Sequence, residues 1–245
     1  MLKFFRRVRQ DLVNNGKTSM YFKYALGEIL LVMIGILLAL QVSNWNAKNK
    51  ESKLEKRYLS ELILDLQTDS TAISEFITTS NKQFKAKTKL IGYFNGFDLS
   101  KDTLSVIFNE QWRISYSFSP IVTTLDEMKS TGNIGVIKNS DLRRKILETY
   151  NNYKIHINKD EVIYNHQQEE LWRVLFSRVP YLSTGVVFDS EEMDVTAALL
   201  DFEIKNLISG NYVTGMNRAV HRLNEWNTGL LKAIRKELKE PSSND

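Results

Sequence analysis

From Ile29 to Ala47 the chain carries no charged residue, and this is the only long apolar run in the sequence. A helix rises about 1.5 Å per residue, so a span over residues 24–44 matches a bilayer core of about 30 Å. Tyr21, Phe22 and Tyr24 precede the run and Trp45 follows it, where aromatic side chains anchor at membrane interfaces. The run is apolar all round, so a soluble core helix of this sequence would need a protein wall on every side. A cleavable signal peptide shares the basic leader and apolar core. Here the leader is long, and "LALQVSNWN" lacks a clean small-x-small cleavage pattern. The expectation is an uncleaved signal anchor.

Glu28 stands only about one helical turn, roughly 6 Å, inside a span that starts at Tyr24. A carboxylate there can snorkel to the interface beside Lys23, close to the positive end of the helix dipole. The functional alternative is an intramembrane acid that pairs with another helix or relays protons, as in stator-like proteins, whose acids usually sit deeper. Gly35 and Ala39 form a small-x-x-x-small pair that lets two spans approach, a pattern that apolar spans also contain by chance.

The basic balance, 33 Lys and Arg against 29 Asp and Glu, is local. Residues 1–23 hold Lys3, Arg6, Arg7, Arg9, Lys17 and Lys23 against Asp11, which leaves 27 bases and 28 acids in the rest. A nucleic-acid face should lie on the folded domain, so the charge reads as a membrane flank. Within that flank Leu2, Phe5, Val8 and Leu12 recur at helical spacing between bases, as in a helix lying on anionic lipid. Basic residues also follow the span, but a signal anchor with a basic leader keeps its N-terminus inside. The expected layout is a cytoplasmic tail over 1–23, the span over 24–44, an extracytoplasmic bundle over 45–240 and a frayed tail over 241–245. On this layout the short leader is expected to leave no room for an enzyme or DNA-binding output domain.

Beyond Trp45, Leu54, Tyr58, Leu62, Leu66, Ile73, Ile77, Phe84 and Ile91 fall at spacings of four and seven, a coiled-coil-like stripe running to "NGFD". "SKDTLSVIFNE" predicts a short helix. "WRISYSFSP" alternates with period two, but a lone strand has no partner, so the segment should lie extended over helices. Thr124 with Glu127 forms a capping box, and Gly132 should stop that helix. Ser140 is the expected cap of the next, whose buried stripe is Leu142, Ile146, Tyr150, Tyr153, Ile157, Tyr164, Leu171 and Val174 or Leu175, ending at Pro180. Asp189 and Ser190 should cap a helix to about Ile208. The last helix carries Tyr212, Met216, Val220, Leu223, Trp226, Leu230, Ile234 and Leu238. The fold class is all-α: a transmembrane helix continuing into a long helix, with an antiparallel bundle outside the membrane.

"GEILLVMIGILLALQVSNWN", "MLKFFRRVRQDL", "KLEKRYLSELILDL" and "TLDEMKSTGNIGVIKNSDLRRKILETY" together resemble a domain-of-unknown-function family of single-pass membrane proteins of the Bacteroidota. The resemblance covers essentially the whole chain, and its most specific part is the GEIxLVxIGIxxALQxxNWN span. It implies an inner-membrane protein with an all-α domain, and it brings no established activity or catalytic residues. Glu28, Asn44 to Asn46 and Ser130 to Asn133 match recurring features of that pattern.

Little in the sequence carries chemistry. The absence of cysteine excludes disulfides, thiolate zinc sites and cysteine catalysis. His156, His166 and His221 form no HExxH, and His166 with Glu169 or Glu170 reads as a solvated face rather than a metal site. "STGNIG" reads as a turn, and Glu191 and Glu192 as helix-start acids. No cofactor or catalytic residue is expected. Trp112, Tyr116, Phe118, Trp172, Phe176, Tyr181 and Trp226 should be mostly core, with an exposed subset, Trp112, Tyr116, Phe118 and Tyr181, as a partner surface. The expected function is non-enzymatic: membrane anchoring plus partner binding or self-association through the bundle. The alternatives are a periplasmic ligand sensor signalling through oligomerisation and a stator-like accessory using Glu28.

Overall fold

The structure, a computed structural model, describes residues 18–112, 115–178 and 195–239. Every regular element among them is helical, so the chain is all-α. It divides into two units, Met1–Glu55 and Lys56–Asp245. The leader over 1–17, Pro180, Tyr181, Asp189, Ser190 and the tail over 241–245 lie outside the described residues.

In the first unit the described chain belongs to α1, Thr18–Phe94. No proline or glycine occurs from Ile36 to Ile91, so nothing interrupts the backbone ladder. The apolar part of α1 is long enough to cross a membrane by length and composition, and its most apolar window is 0% buried. This is a candidate single membrane span.

The second unit contains the rest of α1, α2 (Lys101–Trp112), α3 (Thr123–Ser130), a 3₁₀ turn at Asn133–Val136 and α4 (Ser140–Asn152). A π-turn at Tyr153–Ile157 joins α4 to α5 (Asn158–Arg178); α6 (Val195–Leu200), α7 (Phe202–Gly210) and α8 (Val213–Lys239) follow. Pairing fixes the directions. Along α1, Leu66 meets Asn227, Ser80 meets Asn217 and Lys87 meets Asn211, so α1 and α8 run antiparallel. Along α5, Asp160 meets Arg222 and Gln167 meets Tyr212, so α8 is antiparallel to α5 as well.

Termination of α1 is built from "GYFNGF". Gly96 N donates to Tyr93 O (3.0 Å) and Phe97 N to Gly92 O (3.1 Å), closing a Schellman motif with Gly96 at φ 95°. The Phe97 ring then lies over Gly92, 3.3 Å from where a Cβ would sit.

The expected stripe over α4 and α5 is buried at Leu142, Ile146, Tyr150, Tyr153, Ile157, Tyr164, Leu171, Val174 and Leu175. Four local expectations are corrected. Phe84 is 39% exposed, because the inner face of α1 passes through Ser80, Gln83 and Lys87 to Leu90. No capping box forms at Thr124: the N-cap is Val122 and makes no side-chain cap bond. Asp65 on α1 accepts from Thr124 N instead, while Glu127 is taken by Arg57 and the Tyr58 hydroxyl. The cap of α4 is Asn139 rather than Ser140, its side chain accepting from the Asp141 and Leu142 amides. The helix expected to reach Ile208 breaks at Asp201, which caps α7 by accepting from Glu203 N and Ile204 N.

Candidate functional site

Two regions carry the residues with functional interest, and each lies within one unit. In the first unit, Ala25, Glu28, Ile29, Val32, Met33, Ile36 and Leu37 share one groove-lining face of α1. Glu28 is half-buried among strongly exposed apolar neighbours such as Ile29 and Leu31. Nothing lies within 4 Å of a Cβ built at Gly35, so the surface beside Gly35 and Ala39 is open. Trp45 is 69% exposed, the disposition an interfacial anchor requires. The side chains of Tyr21, Tyr24 and Trp112 lie outside the described set.

In the second unit a seam of polar side chains runs through the bundle. Residues 115–118 are extended and alternate as the sequence predicts, with Tyr116 and Phe118 turned inward. Among the described residues their backbone has no strand partner, and side chains replace one. Asn165 accepts from Tyr116 N (3.0 Å) and donates to Tyr116 O (2.7 Å). Glu161 accepts from Phe118 N (2.5 Å), and Asp69 accepts from Ile121 N (3.1 Å).

Inside this clasp the Tyr116 hydroxyl donates to Gln83 (2.9 Å), and the Gln83 amide donates to the Tyr164 hydroxyl (2.7 Å). The Tyr116 and Tyr164 rings meet edge to face at 4.9 Å. Tyr116 is 1% and Phe118 7% exposed, which overturns the expected partner surface at both positions: they are core. Trp226 is half-buried, with its ring 5.6 Å from that of His156.

Toward the chain's entry into the unit, the seam turns acidic. Asp69 is 2% exposed, and burial is the main reason its carboxyl rises to about pKa 6; Asp65 adds to the rise and the Ile121 amide opposes it. The second Asp69 oxygen and the Tyr150 hydroxyl are buried without a hydrogen-bond partner among the described residues, while the buried Tyr153 hydroxyl faces Asn227. The Asp69 charge acts on both tyrosines, whose own ionisation burial pushes up. Deeper in the bundle Lys87 donates to Asn211 O (2.6 Å), and burial lowers its pKa. Asn227, fully buried, joins Ser70 (2.7 Å) to Leu66 O (3.1 Å).

Sequence reasoning missed Asp69, Gln83, Lys87 and Asn227. A signal for two of them existed: Asp69 falls in the Leu62, Leu66, Ile73 register and Asn227 in that of Leu223 and Leu230.

At the end of the unit where α1 stops, Tyr93, Phe94, Phe97, Leu199, Leu200 and Lys205 line a recess of about 320 Å³. Phe97, Leu200 and Phe202 are 71%, 72% and 78% exposed there or beside it. Arg178 pairs with Asp201 and with Glu203 (2.6 Å) on the neighbouring surface. Among the described residues no group of three or more side chains could hold a metal ion. The seam keeps the 115–118 segment in place through side-chain hydrogen bonds.

No curated protein and no solved structure significantly matches the chain. A family model does match, from Glu28 through the apolar part of α1 to Ile208 in α7. The chain therefore belongs to DUF6090, a family of unknown function.

Proposed function

We propose that the chain is a non-enzymatic single-pass protein of the inner membrane whose helical domain binds a protein partner or scaffolds an envelope assembly. The basic leader stays in the cytoplasm and the bundle is periplasmic. The observation that carries this reading is α1: one unbroken helix passes from an unburied apolar segment into a separate folded unit. The partner arm draws on Phe97, Leu200 and Phe202, large apolar side chains exposed near one recess, where a protein surface would gain by burying them.

The test is photo-crosslinking in native membranes from Phe97 and from Leu200, with exposed Leu64 as the comparison position. Protease accessibility on the same membranes reads the topology. A specific adduct from the first two positions, reduced by Phe202→Asp, supports the partner role. Equal labelling from all three positions removes it, and a bundle protected on the periplasmic side reverses the orientation.

A second reading is a periplasmic ligand sensor signalling through oligomerisation. It requires a ligand bound by the bundle to change the oligomeric state.

A further inference from the structure

The link between α6 and α7 is held on both sides of Leu200. Asp201 N donates to Ala198 O (3.2 Å) at the end of α6, and the Asp201 side chain caps α7 through Glu203 N and Ile204 N. Arg178 pairs with Asp201 and Glu203 from α5. With the link so held, Leu199 is 1% exposed and Leu200 is 72% exposed. The Schellman turn after α1 brings Phe97 to the same recess, its ring over Gly92. Apolar side chains presented on closed turns can be covered by another surface at little cost in ordering.

Two charged side chains line this recess, Lys205 and Asp98. They make no ion pair with each other or with another described residue. Lys205 is half-buried; its ammonium donates to Phe94 O (3.3 Å) and stands 5.4 Å from the centre of the Phe94 ring. An ammonium has three N–H donors, so this contact does not exhaust it. Asp98 is exposed and keeps its water. An arriving charge interacts most strongly where water is displaced, so Lys205 rather than Asp98 selects the sign of the occupant.

We propose that this recess receives a large apolar side chain of a protein partner, with an aspartate or glutamate beside it in the partner's chain set against Lys205. The inference rests on the partner reading of the helical domain. A protein is favoured over a free small acid because the apolar surface extends beyond the recess. Phe202, 78% exposed, lines a second recess with Arg178 and Glu203. A molecule filling only the first, about 320 Å³, would leave that ring in water. A basic neighbour in the partner would meet Lys205 as a like charge.

The full chain in lipid nanodiscs is panned against a displayed library of random short peptides, and clones that lose binding to Leu200→Asp are kept as recess binders. These should carry an aromatic or large aliphatic residue next to Asp or Glu, an outcome that needs no Lys205 variant. Lys205→Gln with unchanged helicity should weaken them about tenfold, the worth of one charge-assisted hydrogen bond. Lys205→Glu should turn the selection toward Lys or Arg neighbours. Recess binders without an acidic bias, or with one that survives Lys205→Gln, overturn the proposal and leave the partner reading standing. Phenylacetate binding as tightly as the peptides gives the recess to a small acid and overturns it as well. If no clone depends on Leu200 and no crosslink forms from Phe97 or Leu200, the partner reading itself fails.

Discussion

Replacing Asp69 by asparagine should stabilise the protein at neutral pH. The carboxyl is raised from 3.8 to about 6 in the fold. A raised carboxyl binds its proton more tightly folded than unfolded, so ionisation costs the folded state at every pH above the folded value. Between about pH 4 and pH 6 the native protein therefore loses stability as pH rises, and the loss is complete above pH 6. The shift of roughly two units is worth about 3 kcal/mol at 1.36 kcal/mol per unit. That is an upper bound, since water reaching Asp69 would reduce it.

Asparagine keeps an oxygen for the Ile121 amide and brings two N–H donors near the Tyr150 hydroxyl, which has no hydrogen-bond partner among the described residues. Urea unfolding of the full chain in detergent micelles, followed by far-ultraviolet circular dichroism, measures the effect. Subtracting native from variant stability at each pH cancels the other carboxylates. The difference should be near zero at pH 4, rise through pH 5–6 and level off at up to about 3 kcal/mol, roughly 6–12 °C in Tm. A difference that is flat with pH, or a variant less stable than the native chain at pH 8, refutes the reasoning.

Gly215→Ala should lower stability by roughly 1–3 kcal/mol in thermal unfolding, because its Cβ would lie 2.3 Å from the Tyr212 ring. Moving that ring also releases the Tyr212 hydroxyl from Asp160 (2.7 Å), so Tyr212→Phe should reproduce only about 1 kcal/mol of the loss. Asn165→Ala orphans the Tyr116 amide and carbonyl. It should cost roughly 2–4 kcal/mol, and hydrogen exchange should accelerate first at residues 116–118. Glu28→Gln should leave alkaline-resistant membrane association unchanged if the carboxylate serves the interface, whereas loss of association would give Glu28 a packing role.

What the sequence revealed was what one helix reveals by itself. Leu62, Leu66 and Ile73 recur because their face is covered, and Tyr116 and Phe118 alternate because their segment is extended. Hidden were the features that need a second element to make sense. Asp65 is an ordinary helical acid until the start of α3 arrives at its carboxylate. Gln83 and Lys87 look solvent-facing, and that made Phe84 seem the inward residue. Their partners, Tyr116, Tyr164 and the Asn211 carbonyl, come from segments whose approach no local spacing records. The mistaken partner surface at Tyr116 and Phe118 has the same origin: an irregular segment reads as accessible unless the side chains that clasp its backbone are known.

Asn227 closes on Ser70 and Leu66 across 157 and 161 residues of chain. At a synthesis rate of about 5–20 residues per second, the inner face of α1 waits roughly 8–30 s for α8 to be made. Throughout that interval Leu62, Leu66 and Ile73 lack their final cover, while the apolar segment ahead of them has already left the ribosome. The inner face of α1 is thus completed only by the last helix to be made, so a chain truncated before Val213 would leave Leu66 and Ser70 without their Asn227 contact.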